Sequence, residues 1–366
     1  MSHTYLKGLT PLRFFAAFFV IISHGQLSLT KLGCGQFAAL PLFNRGGDAV
    51  EFFYVLSGFL ITFLLQKEIA QNGSVSIRKF YLRRVFRIWP LYFLIVAVGF
   101  IFLGILYPRL TGQRFFDFPL WRGLLLFLFF LPNLATSLYV TGMLFPLRTI
   151  GVEEQYYLFW APLVKLFRHK IAYLIYFFVV ISYIWYYIVA ETKLPWPETT
   201  ISFLKTQKFY AMATGCLFSL FFYKSAEKYR QSLLAGRFIQ WIVFGLIAGY
   251  YLVGSPFPDN SLVHFCLCWL YGLLILNCAL LEKPVVNFER KPLVYLGVIS
   301  YSLYMCHMLV DYILRFTVMK FHLERIGCAI MIPGYQVVLL GGAVLTASLC
   351  YKYYESYFLR LKEKYA

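Results

Sequence analysis

The first apolar stretch of the chain, residues 9–29, contains two side chains that can do chemistry, Arg13 and His24. A charged group at membrane depth costs roughly 3 kcal/mol unless it is paired or hydrated, so both are candidate functional residues. On a helix they lie roughly 16 Å apart and about three turns from each other, so both can face one interior channel. A neutral His24 would serve there as a general base or as a nucleophile. In the structural alternative, Arg13 extends to the membrane interface and His24 hydrogen-bonds a carbonyl group.

Three arginines lie close together further along the chain, Arg83, Arg84 and Arg87, in the segment FYLRRVFRIWPLYFL. Positions three and four residues apart share one helix face, so these side chains form a cationic face at the end of an apolar helix. The forked guanidinium group is suited to phosphate binding. Such a cluster also serves as a simple topology anchor on the inner side of a membrane, and the sequence leaves both explanations open.

Carboxylates occur at the starts of two other apolar segments. Asp48 opens the segment GGDAVEFFYVLSGFLI, which carries Ser57 deeper within it, and Glu153 and Glu154 open RTIGVEEQYYLFWAPLV. Adjacent helical positions point about 100° apart, so one of the two glutamates faces the interior, and we assign Glu153 to it. Asp48 or Glu153 would orient His24. Acids near a helix N-terminus also complement its dipole without any further role.

The segment GVISYSLYMCHMLVDYIL places Tyr304 and His307 three residues apart and therefore on one helix face. Asp311, one turn further along, can reach His307. We expect Ser57, Tyr304 and His307 to contact a substrate. The alternative for His307 is a structural hydrogen bond with Asp311.

These residues belong to a chain whose solvent must be lipid. Hydrophobic residues make up 60% of it, charged residues 14%, and its mean hydropathy is +0.68. The apolar runs do not alternate with polar residues, which favours an all-α, polytopic transmembrane bundle over strands. We predict ten spanning helices, near residues 9–29, 46–66, 88–107, 149–165, 171–190, 208–223, 238–254, 261–281, 293–314 and 334–352. The segment 120–138, interrupted by Pro132 and Asn133, is predicted to be re-entrant or interfacial.

The basic residues are distributed as in a multi-pass protein. With 120–138 kept from crossing, most Lys and Arg fall on one side, which places both termini in the cytoplasm by the positive-inside rule. The net charge of +18 therefore indicates topology and contact with anionic lipid, and nucleic acid is not an expected partner. We expect a single membrane domain, 1–366, without a soluble domain. Cys34 and Cys328 fall in predicted outer loops and could pair, while no metal site is expected.

Taken in order, these segments resemble the acyltransferase-3 family of membrane acyltransferases. The resemblance runs nearly from one end of the chain to the other. Each segment alone is a weak signal, and the specific signal is that all of them occur in the same order as in the family. Its segments are LTPLRFFAAFFVIISHG, GGDAVEFFYVLSGFLI, YLRRVFRIWPLY, RTIGVEEQYYLFWAPL, FYAMATGCLFSL, LGVISYSLYMCHMLV and YKYYESYFLR. The first keeps the family's arginine, ten intervening residues and histidine. The stretch 148–151 departs from the family, which usually has a Trp-Ser-Leu-Ser type sequence there.

The resemblance implies transfer of an acyl group, commonly acetyl, from a coenzyme A thioester to a hydroxyl of a cell-surface glycan or of its lipid-linked precursor. Acyl-CoA would be a donor substrate and no cofactor would be permanently bound. The site it implies has two parts. Its catalytic residues are Arg13, His24, Asp48 and Glu153, and its donor-binding residues are Arg83, Arg84 and Arg87. The expected location is a bacterial inner membrane. The rival hypothesis is a transporter or flippase of a glycan or lipid, in which the same charges line a substrate path.

Overall fold

The fold is described from a computed structural model, which covers residues 6, 8–35, 37 and 40–365. The two chain termini, predicted above to be cytoplasmic, lie outside these residues. Every regular element within them is helical. The α-helices are α1 (Leu9–Lys31), α2 (Pro41–Asn44), α3 (Gly46–Asn72), α4 (Ile77–Ile101), α5 (Tyr107–Thr111), α6 (Leu120–Leu128), α7 (Pro132–Leu138), α8 (Leu147–Leu166), α9 (Ile171–Glu191), α10 (Glu198–Thr206), α11 (Phe209–Arg230), α12 (Arg237–Leu252), α13 (Ser261–Leu280), α14 (Lys291–Val298), α15 (Ser300–Lys320), α16 (Cys328–Cys350) and α17 (Ser356–Tyr365).

Short segments of other helix types extend these elements. Two π-helical turns, Phe102–Leu106 and Tyr351–Glu355, join α4 to α5 and α16 to α17. Four 3-10 segments lie in the connections, Gly142–Leu144, Arg168–Lys170, Leu233–Ala235 and Leu323–Ile326.

The all-α prediction is confirmed, whereas the prediction of ten spans is not. Within the described residues, six helical segments are long and apolar enough to cross a membrane, or seven if α14 and α15, bent by 69° at their junction, form one span. The predicted spans 149–165, 208–223 and 238–254 correspond to helices α8, α11 and α12. The first two carry several charged residues and the third has only 16 residues, below the roughly 20 that a full crossing needs.

The segment 120–138 forms two short helices, α6 and α7. The chain breaks between them at Phe130, which has a positive φ of 56°, and Pro132 begins the second helix. With nine and seven residues, neither helix is long enough to cross the hydrocarbon core.

Helix α3, which carries Ser57, packs most extensively on α11. A Cβ atom at Gly58 would lie 2.0 Å from the carbonyl oxygen of Met212, and one at Gly215 would lie 2.0 Å from that of Val55. The two backbones therefore approach each other through a pair of facing glycines. Within lipid there is no hydrophobic driving force between helices, so their association depends on close packing of this kind.

Helix α1, which carries Arg13 and His24, contacts α3, α13, α14, α15 and α16. A second apolar cluster joins it to α15 and α16 through Ala17, Ile21, Leu303 and Leu339. A disulfide between Cys34 and Cys328 links the region just after α1 to the start of α16, with the two Cα atoms 5.3 Å apart. The pairing that the sequence left open is thus present, and it adds a covalent link to the contacts that α1 makes with the surrounding helices.

Candidate active site

Three helices place charged side chains around one internal cavity of about 110 Å³. Arg13 lies on α1 and Glu153 lies on α8. Arg84 and Arg87 lie on α4, in the half of the helix that the sequence predicts to be nearer the cytoplasm. Ser57 and Tyr304, predicted as substrate contacts, line the same cavity. Its remaining lining residues are Val50, Phe53, Tyr54, Ile88, Thr149, Ile150, Tyr157, Ser300 and Tyr301.

The cavity has an excess of positive charge. Among the described residues, no carboxylate lies within ion-pair distance of Arg13, Arg84 or Arg87. The Nε atom of Arg84 is buried without a hydrogen-bond partner. Three guanidinium groups thus face a small interior space lined by one carboxylate. Unpaired charge at this depth is expensive, so the arrangement favours an anionic guest.

Arg83 lies differently from its two neighbours. Its guanidinium group forms an ion pair with Glu68 at 3.0 Å, and Glu68 also accepts a hydrogen bond from the backbone N–H of Ser76 at 2.8 Å. Arg83 is not among the residues that line the cavity. Of the three predicted donor-binding arginines, the structure therefore brings Arg84 and Arg87 together with Arg13, and it turns Arg83 towards the end of α3.

Glu153 is held by two neutral donors. Ser57 donates from its hydroxyl at 2.9 Å and Tyr157 donates from its phenol at 3.1 Å. The adjacent Glu154 instead accepts a hydrogen bond from the indole N–H of Trp89 at 3.0 Å. The two glutamates thus point to different surroundings, as their 100° offset requires, and Glu153 is the one that lines the cavity.

His24 forms a hydrogen bond with His307, which lies on α15. Nδ1 of His24 lies 2.8 Å from Nε2 of His307, and the two rings are parallel within 5°. His307 is fully buried, and its other nitrogen lies 2.6 Å from the carbonyl oxygen of Tyr304. The Tyr304 hydroxyl hydrogen-bonds Thr149 at 2.9 Å inside the cavity. Tyr304 therefore connects the cavity to the histidine pair.

The hydrogen bond between His307 and Asp311, which the sequence offered as the structural alternative, is not formed. The two oxygens of Asp311 accept hydrogen bonds from Ser28 at 2.6 Å and Tyr335 at 2.9 Å. His307 points back along its own helix towards Tyr304, so its side chain cannot also turn towards the residue one turn ahead. Asp311 instead fixes α15 to its neighbours α1 and α16.

Asp48 belongs to a separate polar cluster. Its carboxylate accepts hydrogen bonds from Tyr250 at 3.1 Å and Arg45 at 3.5 Å, and its other oxygen lies 3.3 Å from His264 Nδ1. Both oxygens are therefore engaged by residues other than His24. The structure gives His24 a histidine neighbour, where the sequence suggested a carboxylate.

The same cluster continues through Glu51, whose carboxylate contacts the ammonium group of Lys208 and lies 3.0 Å from His264 Nδ1. The other nitrogen of His264 lies 3.1 Å from Asp259. His264 and Lys208 were not predicted from the sequence. His264 could nevertheless have been identified from the sequence as a candidate functional residue, because it is a titratable residue within the predicted span 261–281.

Asp48, Glu51 and His264 offer ligand atoms within 4.8 Å of one another, close enough to hold a metal ion. Lys208 and Arg45 already neutralise the two carboxylates, however, and both nitrogens of His264 face acids. Ion pairing alone therefore accounts for these contacts. The chemistry of this donor set fits a balanced charge cluster better than a metal site.

Known proteins share this sequence pattern. A family model described as an acyltransferase domain matches residues 6–352. The peptidoglycan O-acetyltransferase OatA of Listeria monocytogenes is 27% identical over 173 residues, which are 45% of this chain and 25% of the relative. The O-acetyltransferase OatA of Staphylococcus aureus is 27% identical over 177 residues, 46% of this chain and 26% of the relative. This chain thus aligns with about a quarter of the length of both relatives.

An uncharacterized protein of Haemophilus influenzae is 29% identical over 252 residues, 65% of this chain and 89% of that protein. No solved structure matches the chain.

Proposed function

The chain belongs to the acyltransferase-3 family, and on that premise we propose that it is a membrane O-acetyltransferase. It moves an acetyl group from cytoplasmic acetyl-CoA to a hydroxyl of a cell-surface glycan or of its lipid-linked precursor. The relative named as a peptidoglycan O-acetyltransferase supports a glycan acceptor. Membership of this family does not favour the rival hypothesis of a transporter or flippase.

The observation that carries the proposal is the positive excess around the internal cavity. Arg13, Arg84 and Arg87 face it together, and of the residues that the structure describes, Glu153 is the one carboxylate in its lining. A phosphate group is the guest best matched to guanidinium forks, and coenzyme A carries its phosphates at the end opposite the thioester. Arg84 and Arg87 bind the phosphate end while the pantetheine arm extends past Arg13.

His24 acts on the acceptor hydroxyl. In this mechanism, a nitrogen of His24 takes the hydroxyl proton while the oxygen attacks the thioester carbonyl carbon. The C–S bond breaks, the new ester keeps the acetyl group, and the proton held by His24 passes to the leaving thiolate to give free coenzyme A. A thioester is already activated, so proton transfer and positioning supply what the reaction needs.

The disulfide supports the proposed orientation in the membrane. Cys34 and Cys328 form a bond that persists in oxidising compartments and is rare in the cytoplasm. The C-terminal end of α1, on which His24 lies, then faces the outer side, and the arginines at the start of α4 lie nearer the cytoplasm. This order agrees with a donor that arrives from inside and an acceptor that arrives from outside.

The test uses the protein reconstituted in lipid with radiolabelled acetyl-CoA and a soluble peptidoglycan fragment as acceptor. We expect labelled ester and free coenzyme A in equal amounts, and His24→Ala should lower the rate by about 10²–10⁴-fold. His169→Ala is the matched control, since His169 is exposed on a connecting segment. Full transfer by His24→Ala contradicts the role of His24, and glycan movement without any acetyl donor would support the transporter instead.

A further inference from the structure

The hydrogen bonds around the buried histidine pair have a definite direction. A carbonyl oxygen can only accept, so the nitrogen of His307 that lies 2.6 Å from the Tyr304 carbonyl must carry a proton. A neutral imidazole has one N–H group, so its other nitrogen, Nε2, is an acceptor. Nδ1 of His24, 2.8 Å away, must therefore be the donor.

This direction decides which nitrogen of His24 is free. With its proton on Nδ1, His24 presents the lone pair of Nε2, and His24 is the member of the pair that keeps part of its surface exposed. His307 has no exposed surface. A charged His307 would reverse the bond, yet no carboxylate of the described residues is paired with it, and Asp311 is engaged by Ser28 and Tyr335.

We propose that His307 is a positioning residue, which holds His24 in the tautomer whose Nε2 can accept the proton of an acceptor hydroxyl. This inference rests on the proposed function and adds to it the group that orients the base. The Tyr304 carbonyl fixes His307, and His307 fixes His24. When His24 takes up a proton, its Nδ1–H bond to His307 becomes charge-assisted and shorter, which stabilises the imidazolium.

Two amide substitutions separate this role from simple packing. The side-chain oxygen of Gln reaches about the position of imidazole Nε2, whereas the shorter Asn reaches about that of Nδ1. His307→Gln can therefore still accept from His24, and His307→Asn can only bond the Tyr304 carbonyl. We expect kcat to fall by on the order of 10²-fold in His307→Asn and by less than about 10-fold in His307→Gln, with KM for acetyl-CoA unchanged in both.

Tyr335→Phe is the control, because it removes a buried hydrogen bond to the same helix without touching His24. Thermal midpoints of all variants are measured in parallel. Equal losses of kcat in His307→Asn and His307→Gln, or full activity in His307→Asn, would overturn the positioning role while wild-type transfer leaves the proposed function standing. Absence of transfer in the wild type would instead remove the proposed function.

A second inference comes from a different part of the molecule, an open groove of about 600 Å³ beside α17. Its basic lining residues are Arg87, Lys352, Arg360 and Lys362, and its acidic one is Glu363. Arg87 also lines the internal cavity, so the two spaces adjoin at this side chain.

The geometry points to this groove, which we call the α17 groove, as the site that binds the adenosine 3′-phosphate of the donor, while its pyrophosphate lies at Arg87 and Arg84, where the groove meets the cavity. This too rests on the proposed function. A polyanion neutralises several cations at once, which a single lipid phosphate does not. The thioester arm then runs from the groove past Arg87 into the cavity, so one extended molecule occupies both spaces.

The test compares acetyl-CoA with acetyl-3′-dephospho-CoA. The double substitution Arg360→Glu with Lys362→Glu should raise KM for acetyl-CoA at least about 10-fold, with a smaller rise for the dephosphorylated donor and kcat retained. Lys224→Glu with Lys228→Glu changes the same charge at exposed positions outside the groove and serves as the control. Equal effects on both donors, or an effect that follows the anionic lipid content of the vesicles instead, would overturn the assignment.

Discussion

At the scale of single residues, three neighbouring arginines on α4 have unequal surroundings and should behave unequally. Arg84 and Arg87 line the cavity, whereas Arg83 is paired with Glu68. We expect Arg84→Gln and Arg87→Gln each to raise the Kd for acetyl-CoA by on the order of 10–100-fold, since each removes a charge-assisted phosphate contact. Arg83→Gln should change it less than about 3-fold. Equilibrium binding to protein in nanodiscs measures this, and equal effects of all three would contradict the distinction.

Glu153 provides a second prediction at this scale. As the acid that lines the cavity, it opposes the binding of an anion beside Arg84. Glu153→Gln should therefore tighten binding of free coenzyme A by on the order of 10-fold, because one negative charge is removed at close range. Glu154→Gln, whose carboxylate meets Trp89 instead, is the control. Weaker coenzyme A binding in Glu153→Gln would show that the carboxylate has another role.

The sequence identified Arg13 and His24 because charge in an apolar helix is visible without a structure. It could not identify their partners. His24 and His307 are 283 positions apart, and nothing local distinguishes His307 from Asp48 as the neighbour of His24. The assignment of Asp311 to His307 relied on helical spacing alone, and it failed because Ser28 and Tyr335 compete for the same carboxylate.

At the scale of helices, the crossing of α3 and α11 makes a direct prediction. Gly58 leaves no room for a Cβ atom against the backbone of Met212. Gly58→Val should destabilise the protein by about 3 kcal/mol or more, because the two helices must separate to admit the side chain. Gly245→Val is the control, since nothing lies within 4 Å of a Cβ atom there. Thermal unfolding in detergent compares them, and equal stability of the two variants would contradict the close approach.

Helix existence was predictable from the length of apolar runs, and helix continuity was not. Residues 293–314 read as one span, yet the structure bends by 69° between α14 and α15. The reason lies in tertiary packing. A Cβ atom at Gly297 would lie 2.0 Å from the carbonyl oxygen of Thr10, so α14 is pressed against the start of α1 before the chain turns into α15. Contacts of this kind leave no periodic signal in the sequence.

At the scale of the whole molecule, the disulfide joins segments 294 positions apart. We expect Cys34→Ser with Cys328→Ser to lower the thermal midpoint, because α1 loses a covalent link to α16. Cys278→Ser, a buried free cysteine, is the control. The orientation is tested by treating intact cells with a membrane-impermeant thiol reagent. It is supported if the reagent labels Cys34 and Cys328 from outside only after the disulfide has been reduced. Labelling without reductant would mean that the bond is not formed there.

The membrane topology shows what can and what cannot be predicted from the composition of the chain. Mean hydropathy of +0.68 and the excess of Lys and Arg indicate a multi-pass membrane protein. The number of crossings does not follow from them. Helices such as α8 carry the charged residues of the site, which lowers the very signal by which a span is recognised. Composition therefore describes α8 poorly, whereas α1 and α4, which also carry site residues, remain apolar enough to be recognised as candidate spans.

The charged cavity also has an electrical consequence. Arg13 lies about one turn into α1 and lines the same cavity as Arg84 and Arg87. In the proposed orientation, a phosphate bound at these two arginines has therefore moved outward through part of the transmembrane field. A full crossing is worth about 2.3 kcal/mol per charge at 100 mV, and a tenth of that depth about 0.2 kcal/mol. An inside-negative voltage would draw the polyanionic donor into the cavity. The value of kcat/KM for acetyl-CoA should therefore rise about 2-fold when a potassium gradient polarises the proteoliposomes. It should return to its starting value when an uncoupler removes the voltage. The enzyme would then work faster on an energised membrane than on a depolarised one, without carrying any ion across it.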